Sequence, residues 1–212
     1  MSYVFFQDTK GNNTDNKNDY PRMYSPDSCP YGISFSEWTG RWWQWAFPIP
    51  KDKNPITDKT GKNAGIGQSG PVWYLAGTTG NASHAQRSCV ISHGKSILFP
   101  IIVSQFSHSE KPTMSDQELL RYTAKDINQT SFLEATVDHI YLTGLSRYRI
   151  RSWIHLDIEA DNIWDVKSGP TDAVSDGYWV FLKPLKEGKH TISFHGIEPN
   201  FETKVTYDIN IK

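Results

Sequence analysis

Alternation of apolar and polar side chains is strongest late in the chain. From Tyr148 to Ala160 the even positions read Tyr, Ile, Ser, Ile, Leu, Ile, Ala, while the odd positions from Arg147 to Glu159 read Arg, Arg, Arg, Trp, His, Asp, Glu. A period of two predicts one long strand, or two strands bent near Ser152, with an apolar face and a polar face. The run over 201–211 repeats the pattern: Phe201, Thr203, Val205, Tyr207, Ile209 and Ile211 alternate with Glu202, Lys204, Thr206, Asp208 and Asn210. Further strands are expected near 178–182 and 191–194, joined by a turn at Glu187-Gly188, and at the apolar runs 72–76, 88–92 and 97–103. Pro100 within the last of these implies an edge or a bulge, because proline has no N–H for a ladder. Two segments carry a helical period instead. Ser34 and Glu37 form a capping box that opens a helix ending near Ala46, with Phe35, Trp38, Trp42, Trp45 and Ala46 on one stripe and Glu37, Arg41 and Gln44 opposite. Pro48 and Pro50 stop it. Trp43 lies off that stripe, so it calls for a second packing surface or a ligand. Ser115 and Glu118 cap a second helix in which Leu120, Ala124 and Ile127 share a face.

Several short strands separated by turn signals define a mainly-β chain. The expected architecture is an antiparallel β-sandwich, jelly-roll-like or immunoglobulin-like, with one or two short helices and a long Gly/Pro-rich loop over 48–71. No linker divides the 212 residues, so a single sandwich domain over 34–212 follows an irregular N-terminal arm over 1–33. The arm is rich in Asn, Asp and Pro across 8–30 and lacks the spacing of an EF-hand.

Composition narrows the function classes. The 22 basic and 23 acidic residues leave a net charge of −1, so no bulk field draws in nucleic acid or an anionic membrane. The longest apolar run, 97–103, is far short of a membrane span. Met1 to Phe6 has neither a basic region nor a long apolar core, which points to a cytoplasmic protein, or to an extracytoplasmic one if the chain is a processed form. Aromatics make up 13% and include eight Trp, so the core is expected to be built from rings. Cys29 and Cys89 leave two readings open. They form one disulfide, closing a loop of about 60 residues worth about 4 kcal/mol, or they are two reduced thiols. Sequons stand at Asn12, Asn81 and Asn128.

Most chemical motifs fail on context. Residues 65–70 match G-x-G-x-x-G, but a loop precedes them and Pro71 with a β-rich run follows, whereas a dinucleotide site needs a strand before and a helix after. Gly94-Lys95-Ser96 lacks the earlier glycine of a phosphate loop, since Cys89 stands there. Gly67-Gln68-Ser69-Gly70 misses the nucleophile elbow by one residue. No cofactor and no metal site is therefore expected. His155, Asp157 and Glu159 share one strand face, where they would ligate a metal, pair a base with an orienting carboxylate, or simply meet solvent. A second candidate is a concave site under the long loop, bounded by Trp43, Asp58, Gln68 and Trp73, for a small molecule or a glycan.

The run WWQWAFPIPKDKNPITDKTGKNAGIGQSGPVWYLAGT from Trp42, then RSCVISHGKSILFPII, then DGYWVFLKPLKEGKHTISFHG and VTYDINI, resembles a family of microbial β-rich proteins, most of them exported. The resemblance extends from about residue 35 to the far end. It implies a β-sandwich and carries over no activity, catalytic residue or cofactor. The leading expectation is thus a non-catalytic ligand-binding or interaction domain. A hydrolase or metal-dependent enzyme on a sandwich scaffold and a structural subunit of a larger assembly are the alternatives, with the oligomeric state open.

Overall fold

The structure is a computed structural model that describes residues 21–80 and 84–212. In chain order it holds helix α1 (Phe35–Ala46), strands β1 (Val72–Tyr74), β2 (Ala85–Ile91) and β3 (Ser96–Ser107), helix α2 (Asp116–Ile127), and strands β4 (Phe132–Val137), β5 (Ile140–Tyr141), β6 (Arg149–Ile158), β7 (Gly169–Leu182), β8 (Gly188–Glu198) and β9 (Phe201–Ile211). The strands form a first sheet ordered β1-β3-β7-β6 and a second ordered β2-β9-β8-β4-β5. Most pairings are antiparallel, as expected, but β1 joins β3 and β2 joins β9 in parallel. Both parallel pairs are closed by long crossovers, which parallel strands require. Among the described residues, no helix is long and apolar enough to cross a membrane.

The layers follow from alternation. Ile150, Ile154, Leu156 and Ile158 of β6 are buried against α1, together with Trp38, Trp42, Trp45, Trp179 and Phe181. Arg151, His155, Asp157 and Glu159 face solvent, in the expected register. The other face of the first sheet meets the second sheet through Ile97, Phe99, Val180, Phe194, Val205 and Tyr207. One sheet thus has two cores, one on each face. That is why Leu98 to Ile102 are all buried and carry no alternation.

Ser34 Oγ accepts from the Glu37 N–H at 3.1 Å, but the Glu37 carboxylate turns to Arg41 at 2.7 Å, so only half of the capping box forms at α1. At α2 the Glu118 carboxylate accepts from both the Ser115 N–H and its hydroxyl. The buried stripe of α2 is Leu119, Thr123 and Ile127, with Leu120 and Ala124 at its flank. The face is rotated by one residue from the expected one, and it can bury polar Thr123 because that hydroxyl donates to the Leu119 carbonyl at 2.9 Å.

The described part of the N-terminal arm is pinned. Met23 bridges Leu182, and Trp38 Nε1 donates to the Pro30 carbonyl. The run 8–20 and the sequons at Asn12 and Asn81 lie outside the described residues. Both cysteines are free thiols. Cys29 sits beside the start of α1, while Cys89 lies in β2 of the second sheet, so the disulfide alternative is not formed. Burial pushes the Cys89 thiol up to about 12.

Candidate functional site

A cleft of about 580 Å³ opens along β3. Its floor is the unbroken run 100–106. Successive strand residues point to opposite faces, so seven in a row line one cleft only if it is open at the strand's edge. The reason is the shortness of β1, which pairs with β3 only at Ser96, Ile97 and Leu98. Beyond that, among the described residues, the edge of β3 has no strand neighbour.

Pro100 shapes this edge. The register against β7 shifts between Pro100, opposite Trp179, and Ile102, opposite Tyr178, leaving Ile101 as the extra residue of a bulge. Before the bulge Leu98 directs its backbone outward, where its carbonyl accepts from the Leu75 N–H at 3.0 Å. After it the parity inverts. The His108 N–H bonds the Asp172 carbonyl at 3.0 Å, so even positions face β7 and Val103 and Gln105 turn their backbone groups to the cleft. Among the described residues, no hydrogen bond is made to those outward groups.

The walls are aromatic. Trp42 and Trp43 from α1 and Trp164 from the loop after β6 stand on one side; Thr78, Phe201 and Thr203 stand on the other. Trp43 is buried, donates from Nε1 to Ser175 Oγ at 2.9 Å, and meets the rings of Phe47 and Trp164. The second surface that its off-stripe position demands is therefore protein, and the cleft adjoins it. Gln105 lies opposite Ser175 on the same face as Trp43. It is 9% exposed, and among the described residues its Nε2 has no hydrogen-bond partner. Trp73 Nε1, Ser152 Oγ and Trp179 Nε1 are also unpartnered, but they do not line the cleft.

Glu110, Asp126 and Glu198 also line the cleft, and among the described residues its lining contains no Lys, Arg or His. Burial, reinforced by the charge of Asp126, pushes the Glu198 carboxyl up to about 7, against the opposing pull of the Thr130 hydroxyl and Arg149. The Thr130 hydroxyl donates to Glu198 Oε1 at 3.4 Å.

The other sequence candidates are placed elsewhere. Trp73 packs between the two sheets. Asp58 accepts from the backbone of Thr60 and Asn63, each at 2.8 Å, and these bonds outweigh its burial and hold its carboxyl below the ordinary range. Gln68 pairs with Tyr74 like a short strand, its Oε1 accepting from the Tyr74 N–H at 3.0 Å and its Nε2 donating to the Tyr74 carbonyl at 2.8 Å. Trp43, Asp58, Gln68 and Trp73 therefore do not converge: only Trp43 reaches the cleft, because Asp58 and Gln68 spend their polar groups on ordering the loop. His155 pairs across strands with Asp172 at 2.8 Å, both about two-thirds exposed. Asp157 and Glu159 stand on the same open face, and neither described cavity is lined by any of the three. Among the described residues, no cluster of three His, Cys, Asp or Glu side chains is arranged to hold a metal.

Gln105, Trp164, Asp126 and Glu198 escaped sequence reasoning. They come from β3, a loop, α2 and the β8–β9 hairpin. The one local signal was the Pro100 break, which foretold an irregular edge without saying what faced it.

No family model matches this chain, and no curated protein does. A solved structure titled "Solution Structure of Amebosin" aligns with 61% of this chain and 96% of its own, at 10% identity and a TM-score of 0.19. A likeness that low bears on neither fold nor function.

Proposed function

We propose that this chain is a binding domain whose ligand occupies the cleft along β3. One observation carries the reading: Gln105 lines the cleft nine-tenths buried with its amide donors unmet. A buried donor without an acceptor costs about 1–3 kcal/mol, which a bound acceptor recovers. The half-buried Trp164 ring, backed by the buried rings of Trp42 and Trp43, adds an apolar wall of the kind that anchors flat or aliphatic groups. A glycan, the class expected from the tryptophans, and other small polar ligands both fit these terms.

A second reading, hydrolysis, draws on a different observation. Glu198 beside Asp126 holds its proton near neutrality, which suits a general acid. Tryptophan fluorescence titration with a panel of soluble oligosaccharides and peptides, followed by mass spectrometry of the same mixtures, separates the two. Saturable quenching without product supports binding. Product formation that is lost in Glu198→Gln supports hydrolysis. Absence of any response across the panel removes the binding reading.

A further inference from the structure

Proteins close the edges of their sheets, because an open row of N–H and C=O groups recruits other strands. This chain does so in three places. The outer edge of β1 is met by the Gln68 side chain, an amide that mimics a peptide unit. The outer edge of β6 is met by α1, where Ser36 Oγ donates to the Arg151 carbonyl at 2.7 Å and Gln44 Nε2 to the His155 carbonyl at 3.0 Å. At β2 the long loop supplies the Thr60 carbonyl to the Ser88 N–H at 2.9 Å. Against this, the edge of β3 from Ile101 to Phe106 is open and lies in a walled cleft. At about 3.3 Å per residue the stretch is about 20 Å long, enough for an extended segment of four to six residues.

Charge adds a second constraint. Among the described residues, three carboxylates and no cation line the cleft, and five aromatic rings stand with them: Trp42, Trp43, Trp164, Phe201 and Phe106, the last already met by the Lys111 ammonium at 5.6 Å from its centroid. Carboxylates with ring faces suit a positive group on a long apolar stem.

We propose that the ligand is a peptide: an extended basic segment of a partner protein adds beside β3 in line with β1, as a third strand paired to it, exchanging backbone hydrogen bonds with Val103 and Gln105 and delivering a Lys or Arg side chain to Glu110, Asp126 and Glu198. This rests on the binding reading of the cleft and names its ligand class. Backbone pairing supplies affinity, and the carboxylates select the side chain. The unmet Gln105 amide lies on the α1 side of the added strand, where it donates to a peptide carbonyl or side-chain oxygen. Glu198 is faced by Asp126 and Thr130 from the α2 side and by Arg149 of β6, while Glu110, in the turn after β3, accepts from the Ser107 N–H and hydroxyl. A bound cation favours ionised Glu198, so affinity is expected to rise about tenfold between pH 6 and 8 as the binding-competent fraction grows.

The test uses the full chain and a positional-scanning library of acetylated, amidated heptapeptides, read by tryptophan fluorescence. The expected result is at least tenfold selection of Lys or Arg over Glu at one position. N-methylation of alternate amides of the best peptide should abolish binding, while methylation of the intervening amides leaves it intact. Glu198→Gln, checked for an unchanged fold by circular dichroism, should lose most of the basic selection yet still bind the peptide with norleucine at that position. Quenching by cello-, xylo- or chito-oligosaccharides without any peptide selection overturns the peptide proposal and leaves the binding reading standing. Silence from both classes removes both. Sedimentation showing a concentration-dependent dimer that Glu198→Gln disrupts would assign the edge to a second copy of the chain and also overturn the proposal.

Discussion

Glu198 and Trp42 show how burial sets the behaviour of single residues. The folded protein holds the Glu198 proton up to about 7, against an ordinary value of 4.5. The unfolded chain releases it first as pH rises, so this residue's destabilising contribution grows between those two values and is complete above the higher one. Glu198→Gln should therefore melt at a higher temperature than the wild type at pH 8 and lose that advantage at pH 4. Thermal melts in two buffers decide it, and an advantage equal at both pH values would rule out ionisation as the cause. Trp42 is 2% exposed, donates from Nε1 to the Leu75 carbonyl at 2.9 Å, and packs edge-on against Trp179. Trp42→Ala is expected to cost about 3–5 kcal/mol in denaturant melts, the range for a large buried ring. Trp43→Ala should lower stability as well as weaken binding, because its ring serves the core and the cleft wall together.

The long loop, an element without regular structure, is ordered by a few polar side chains. Asn54 donates to the Ala46 and Ile49 carbonyls at 2.8 and 2.9 Å, closing the C-terminal end of α1, and accepts from the Ile56 N–H. Gly61 has φ +86, and a Cβ there would stand 2.4 Å from the Ser88 carbonyl oxygen. Only glycine permits both the backbone angle and the approach to β2. Gly61→Ala should cost about 1–3 kcal/mol and speed hydrogen exchange at the Ser88 amide, which bonds the Thr60 carbonyl across that contact. Normal protection at Ser88 in the variant would show that the loop docks without this approach.

Arg87 ties the whole molecule together. It is 3% exposed and donates to the carbonyls of Asp58, Ala76 and Ile56 and to the Tyr207 hydroxyl, so one guanidinium joins the loop, the segment after β1 and the second sheet. Its planar fork of donors meets acceptors that lysine could not reach together. Arg87→Met leaves buried carbonyls without donors and should cost about 3–5 kcal/mol in urea, the range for breaking a buried charged network. A loss under about 1 kcal/mol, within the spread of surface substitutions, would mean that these layers are held by apolar packing alone. Across the first sheet, Asp176 plays the local counterpart: 1% exposed, it accepts from both Arg149 and Arg151, each at 2.8 Å, and their charges hold its carboxyl low despite burial.

Local patterns in the sequence determined the elements whose two faces differ. The alternation in β6 and β9 predicted which residues are buried, since a one-residue slip would invert every side chain. Ser34, Pro48 and Pro50 bounded α1, because capping and helix breaking act within one turn. Tertiary structure decided the rest. The first half of β7 was unreadable because polar Ser175 and Asp176 are buried there by partners distant in sequence. Strands β4 and β5 lack a marked apolar face and exist by pairing with each other and with β8. The short reach of β1, the bulge at Ile101 and the convergence of Gln105, Trp164, Asp126 and Glu198 are relations between segments. A site assembled at an open sheet edge takes one residue from each of several elements, so no local pattern in the chain records it.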